Sequence, residues 1–177
     1  MLQNLYKYKY DILFIIVEQL KIYTVKNKEE EKFLRKKSKY ISEEEIKSKE
    51  FKAFLKKLLY TAKNSEEQIG IPAGGIAAPQ VGDSRRVFYI LRSNTEDWEV
   101  YINPEFKPLD FSKIITTEGC LSVPDREGDV MRYKKIEVKY QDIKGEWKQE
   151  KLFDIDAVAI QHELDHLDGI LFIDKIE

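Results

Sequence analysis

The chain has a single cysteine, Cys120, among 177 residues, so no intramolecular disulfide is possible and a reducing compartment suits it. It carries little net charge: 30 Lys and Arg against 32 Asp and Glu leave −2 at pH 7. That balance argues against a general nucleic-acid binder, which would present a clearly basic surface. It also lacks a long apolar run. The longest, residues 12–17, is bounded by Asp11 and Glu18, whereas a membrane span takes about 20 residues. No small-residue cleavage site follows that run, so no signal peptide is expected and the cytoplasm is the expected location. Histidine is almost missing: His162 and His166 are the only two.

What is present is enough for one folded domain. A chain 42% hydrophobic and 35% charged is globular rather than disordered, and its length supports a single core. Residues 1–20 read as an N-terminal extension. There Tyr6, Tyr8 and Tyr10 alternate with Lys7 and Lys9 ahead of the apolar run, and an extra strand or helix packed on the domain is expected. Residues 26–39 mix Lys and Glu densely, the mark of solvated surface. Ser42 and Glu45 have the spacing of a capping box. Behind them Phe51, Phe54, Leu55, Leu58, Leu59 and Ala62 predict an amphipathic helix, ended by Asn64 and Ser65.

Residues 65–82, rich in Gly and Pro, read as a loop. Residues 87–91 and 100–106 are β-type runs; Ile136, Val138 and Tyr140 alternate with charged residues. The run 147–153 follows a turn at Lys144-Gly145, giving a hairpin. A last helix, capped by Asp154 or Asp156, runs to a breaker at Gly169. The pattern predicts an α+β fold, with antiparallel strands around a central metal-binding helix.

On that helix His162 and His166 stand four apart, so both imidazoles leave one face and can chelate one ion. Glu163 between them turns away from the ion yet reaches its water, which suits a general base. A third ligand is needed. A thermolysin-like site would take a downstream glutamate, but only Glu177 follows, and no third histidine exists, so the ligand is expected from upstream. Cys120, in Glu118-Gly119-Cys120-Leu121-Ser122, is the best candidate, since thiolate binds a dication strongly.

Three motifs then stand in order: Ala73-Gly74-Gly75-Ile76-Ala77-Ala78-Pro79-Gln80, the Glu118–Ser122 segment, and His162-Glu163-Leu164-Asp165-His166. From about residue 22 onward the chain resembles the peptide deformylase family, whose motifs are GxGxAAxQ, EGCLS and HExDH. Only the leading glycine of the first is replaced, by Ala73. The resemblance implies a catalytic domain over residues 21–177. It would remove the N-formyl group from the formyl-methionine of new polypeptides and release formate. It makes Cys120, His162 and His166 the ligands of a divalent metal, ferrous iron first, with zinc, nickel or cobalt possible.

It makes Glu163 the proton carrier and Gln80 and the Leu121 N–H oxyanion donors. Glu118 is expected to brace a ligand histidine. Gly74, Ile76, Val123 and residues before His162 are expected pocket walls, and Gly75 a backbone partner for the peptide. Asp165 and Ser122 are read as structural. Arg126 lies one position off the family's pocket arginine and is left out of the site. The implied partners are N-formylated nascent peptides, with no nucleic acid and no membrane. The ribosome-contacting C-terminal helix of some relatives is not seen before Glu177, so ribosome docking by that route is not expected. Two rival readings remain: a different HExxH metallohydrolase, and a non-catalytic binder of formylated N-termini.

Overall fold

The computed structural model describes residues 17–176. The expected packing of the extension falls mostly on residues 1–16, outside the described residues. From residue 17 to 24 the chain has neither helix nor strand, yet it is tied down. Leu20 N–H donates to Thr61 Oγ1, Tyr23 N–H to the Gln80 carbonyl and Val25 N–H to the Ser122 carbonyl. The last two bonds link the segments that carry the first two motifs.

Among the described residues the helices are α1 (Lys28–Leu34), α2 (Glu43–Lys47), α3 (Lys49–Lys63), α4 (Ser65–Ile69) and α5 (Asp154–Leu167). The strands are β1 (Gly75–Ala77), β2 (Val87–Leu91), β3 (Trp98–Pro108), β4 (Lys113–Cys120), β5 (Val123–Tyr133), β6 (Lys135–Gln141) and β7 (Trp147–Phe153). Five strands form one antiparallel sheet in the order β1-β2-β3-β6-β7, and β4 and β5 form a separate antiparallel ribbon. The α+β class expected from the sequence is the class observed.

Period-two alternation puts the sheet between two cores. Along β2, Val87 and Tyr89 face a cluster with Phe51, Leu55, Leu58 and Ala62 of α3; Phe88 and Ile90 face Ala157, Ile160, Leu164 and Leu167 of α5. Each fully buried apolar side chain of this size contributes about 1.5–3 kcal/mol. The core therefore holds α5 against the sheet by one face, and its other face, with His162, Glu163 and His166, is left for chemistry.

Several local expectations are corrected. The stretch read as solvated surface contains α1, because Asn27 Oδ1 caps it by accepting from the N–H groups of Glu29 and Glu30, and Leu34 is buried. The capping box opens only the short α2. A second cap, Ser48 Oγ accepting from Phe51 N–H, starts α3. The loop at 65–82 holds α4, β1 and a 3-10 turn, Ala78–Val81. The β4–β5 ribbon is not among the strands expected from the sequence: exposed Ile115 and Met131 share its outer face with Lys113, Thr117 and Asp129, so no clean apolar–polar alternation marks it. Neither aspartate caps α5: its N-cap is Phe153, without a side-chain bond. Asp154 has φ 50, and Asp156 instead accepts from Arg92 Nε at 3.1 Å and Ser93 N–H at 3.0 Å.

Candidate active site

The ribbon and α5 deliver the metal-ligating candidates from opposite sides. Strand β4 ends at Cys120, and a two-residue turn, Leu121 and Ser122, leads into β5 with a register shift at Gly119 and Cys120. The turn brings Ser122 N–H to 3.4 Å from Cys120 Sγ. Across the gap, Sγ lies 3.2 Å from His166 Nε2. One ligand atom each from Cys120, His162 and His166 lie within 4.8 Å of one another.

The electrostatics fit a cation at this point. Burial works against charge on His162, yet the Cys120 sulfur and Glu118 outweigh it and raise its pKa to about 10. The groups facing His162 therefore favour positive charge here. Burial and the charge of His162 push His166 well below the ordinary imidazole range, leaving it a neutral donor. His166 Nδ1 is buried without a partner among the described residues. One sulfur and two imidazole nitrogens suit a borderline divalent ion.

Glu118 lies against His162, Oε2 to Nδ1 at 2.8 Å. As acceptor it fixes the proton on Nδ1 and leaves Nε2 for a metal. Its other partner was missed in the sequence. Arg132, from β5, donates Nε and Nη2 to Glu118 and Nη1 to Asp165 Oδ2 at 2.6 Å, with 2% of its side chain exposed. Burial alone would raise the Glu118 pKa, but Arg132 and His162 hold it down to about 2. An arginine in an alternating strand resembles any solvated residue. The signal that it was buried is the alternation itself, with Val130 and Arg132 on one face. Asp165 also binds Lys175, and Ser122 Oγ accepts from Gln80; neither is placed otherwise than structurally.

Glu163 is buried, and its Oε2 has no partner among the described residues. Burial lifts its pKa to about 7. It leans on Gly75 of β1 so closely that a Cβ there would stand 2.4 Å from Glu163 Oε1. Gly75→Ala should therefore displace the carboxylate and cut turnover at least tenfold while leaving the metal content intact. Single-turnover kinetics beside metal analysis check this, and unchanged turnover would sink the steric argument.

Gln80 closes the other side. Ala77 N–H donates to Gln80 Oε1 at 2.8 Å, which fixes the amide so that Nε2 points to Ser122 Oγ (3.2 Å) and Cys120 Sγ (3.5 Å). A cavity of about 440 Å³ opens here, lined among others by Gly74, Gly75, Gln80, Leu121, Val158 and Ala159. Two expected walls lie elsewhere. Ile76 is fully buried in the α3 core, because alternation along β1 turns it opposite to Gly75. Val123 packs with Val130, Leu171 and Phe172. Among the described residues no helix is long and apolar enough to cross a membrane.

The geometry has close counterparts. The peptide deformylase of Desulfotalea psychrophila is 42% identical over 116 residues, 63% of this chain and 68% of its own. The crystal structure of peptide deformylase from Thermotoga maritima superposes with a TM-score of 0.79 at 32% identity, covering 90% of this chain and 99% of that one. The class I type b enzyme of Acinetobacter baumannii, solved with Met-Ala-Ser bound, gives 0.78 at 30% identity over 91% of this chain and 100% of that one. The polypeptide deformylase family model matches residues 20–177. With that match running through β1, the ribbon and α5 alike, the chain belongs to the peptide deformylase family.

Proposed function

We propose that this chain's own residues divide the deformylation reaction as follows. The activity itself, removal of the N-formyl group from newly made polypeptides with release of formate, is that of its family. Cys120, His162 and His166 would hold one divalent ion, ferrous iron in the first instance, with zinc, nickel or cobalt accepted by the same donors. When bound, such an ion supplies Lewis acidity and brings the pKa of a water toward neutrality.

Glu163 takes a proton from the water as its oxygen bonds to the formyl carbon. It returns that proton to the amine nitrogen as the C–N bond breaks, giving formate and a free N-terminus. The observation that carries this role is a buried, unpartnered carboxylate whose pKa is raised to about 7, beside the ligand trio. The Gln80 Nε2 group and the Leu121 N–H donate to the charge that develops on the formyl oxygen, each worth about 10²–10³ in rate. Glu118 and Arg132 orient His162.

The peptide adds to the free edge of β1, where Gly75 offers its backbone groups and β2 occupies the other edge. Apolar Val158 and Ala159 in the cavity lining suit the methionine side chain. Anaerobically purified protein should release formate from formyl-Met-Ala-Ser. A chelator should abolish the release, and ferrous iron should restore it. Tight peptide binding without formate from the metal-loaded protein would favour the non-catalytic reading and overturn this one.

A further inference from the structure

Among the described residues the charged lining of the cavity, the imidazole aside, is of one sign: Glu118, Glu127, Asp156 and Glu163 contribute to it, and no Lys or Arg does. Glu118 is held by Arg132, Asp156 by Arg92, and Glu163 is interior against Gly75. Glu127 differs. It is exposed on β5, opposite Gly119, with its Cγ 3.7 Å from where a Cβ at Gly119 would stand. Among the described residues it has no ion pair or hydrogen bond of its side chain. Its neighbour Arg126 does not line the cavity.

A second part of the lining carries a negative excess of its own. Arg92 is a single cation facing three carboxylates, Glu99 at 2.8 Å, Glu150 at 3.0 Å and Asp156 at 3.1 Å. Asp156 and Ser93 of this group line the cavity, while the side chains of Glu99 and Glu150 keep 43% and 27% of their surface exposed. The cavity lining thus includes an unpaired carboxylate on the ribbon and one member of an acid-rich cluster at the start of α5.

We infer that Glu127 is a specificity-determining residue, favouring formyl-methionyl peptides with Lys or Arg at the second or third position. This rests on the deformylase reading above. An extended chain advances about 3.3 Å per residue, so the residues after methionine lie at the cavity mouth, where a lysine stem can carry its ammonium to the ribbon. The unpaired carboxylate gives up no existing partner on binding. The acidic lining also raises the local concentration of cationic peptides.

The test compares three C-terminally amidated substrates: formyl-Met-Lys-Lys, formyl-Met-Ala-Ser and formyl-Met-Glu-Glu. Exposed pairs are worth only a few-fold each, so wild type should prefer the Lys over the Glu peptide by about tenfold in kcat/KM at low salt. The preference should sit mainly in KM and shrink toward parity in 0.5 M salt, as screening requires at about that ionic strength. Glu127→Gln should cut the Lys-to-Glu ratio several-fold, and Glu127→Lys should bring it to one or below. Ratios are taken within each variant, so a loss common to all peptides cancels. No preference in wild type, or a preference that survives both substitutions, overturns the assignment. The neutral peptide reports on deformylation by itself, so failure there is distinguishable from failure of charge selection.

Discussion

Glu163→Ala is expected to lower formate release by about 10²–10⁴ while the protein keeps its full metal content, since one carboxylate serves as both base and acid. The metal is retained because the donor atoms come from Cys120, His162 and His166. The fold should not suffer either. Glu163 Oε2 is buried without a partner among the described residues, and burial, which lifts its pKa to about 7, disfavours the charged form. A carboxyl raised on folding costs stability progressively as pH climbs from its unfolded value toward 7. At pH 8 metal-free Glu163→Gln should therefore melt above metal-free wild type, and at pH 4 the two should converge.

The same group sets the acid limb of kcat/KM. Protonated Glu163 cannot accept from water, so activity should fall as pH drops through a value at or below 7, a bound dication drawing it downward. Metal loss from Glu163→Ala, or turnover within threefold of wild type, would remove Glu163 from the role.

Arg132→Met should be the most destabilising substitution outside the proposed metal-binding trio. It leaves Glu118 and Asp165 buried, the first with 6% and the second with 13% of its side chain exposed. Breaking a buried pair from one side costs about 3–5 kcal/mol, a fall of roughly 6–20 °C in melting temperature for a chain of this size. Lys175 on Asp165 and His162 on Glu118 limit the loss. Glu118 should also lose its low pKa. In wild type that carboxyl, held to about 2, contributes stability that is complete above its unfolded pKa and is lost as pH falls through 2. In Arg132→Met that contribution should shrink, so the melting temperature should depend less on acid pH than in wild type. Metal affinity should drop about 10–100-fold, because Glu118 no longer fixes the His162 ring. A melting temperature within two degrees of wild type, with equal metal retention, would refute the account.

The sequence displayed the parts of this molecule that obey a short period. The strands at 87–91 and 147–153 and the helix bearing the two histidines follow from alternation and i, i+4 spacing. So does the core face of α3. The grouping of Cys120, His162 and His166 was legible because histidine and cysteine are so scarce that few combinations exist. What escaped notice depends on long-range context. Arg132 becomes a structural centre only where β5 passes between Glu118 and Asp165, and Ile76 is a core residue because β1 pairs with β2 in the register Ile76 to Tyr89. The start of α5 was misread because its aspartates look like caps. Asp156 is taken by Arg92, 64 positions away in sequence, a partner no local pattern reveals.

The sulfur of the site lies on the two-stranded ribbon, and its imidazole neighbour His166, 46 positions later, belongs to the helix packed on the other sheet. During synthesis a growing copy of this chain therefore exposes its thiol well before either histidine has been made. The centre closes only when α5 emerges and docks. Until then the polypeptide has no complete centre, and its single thiol waits for the fold to bury it.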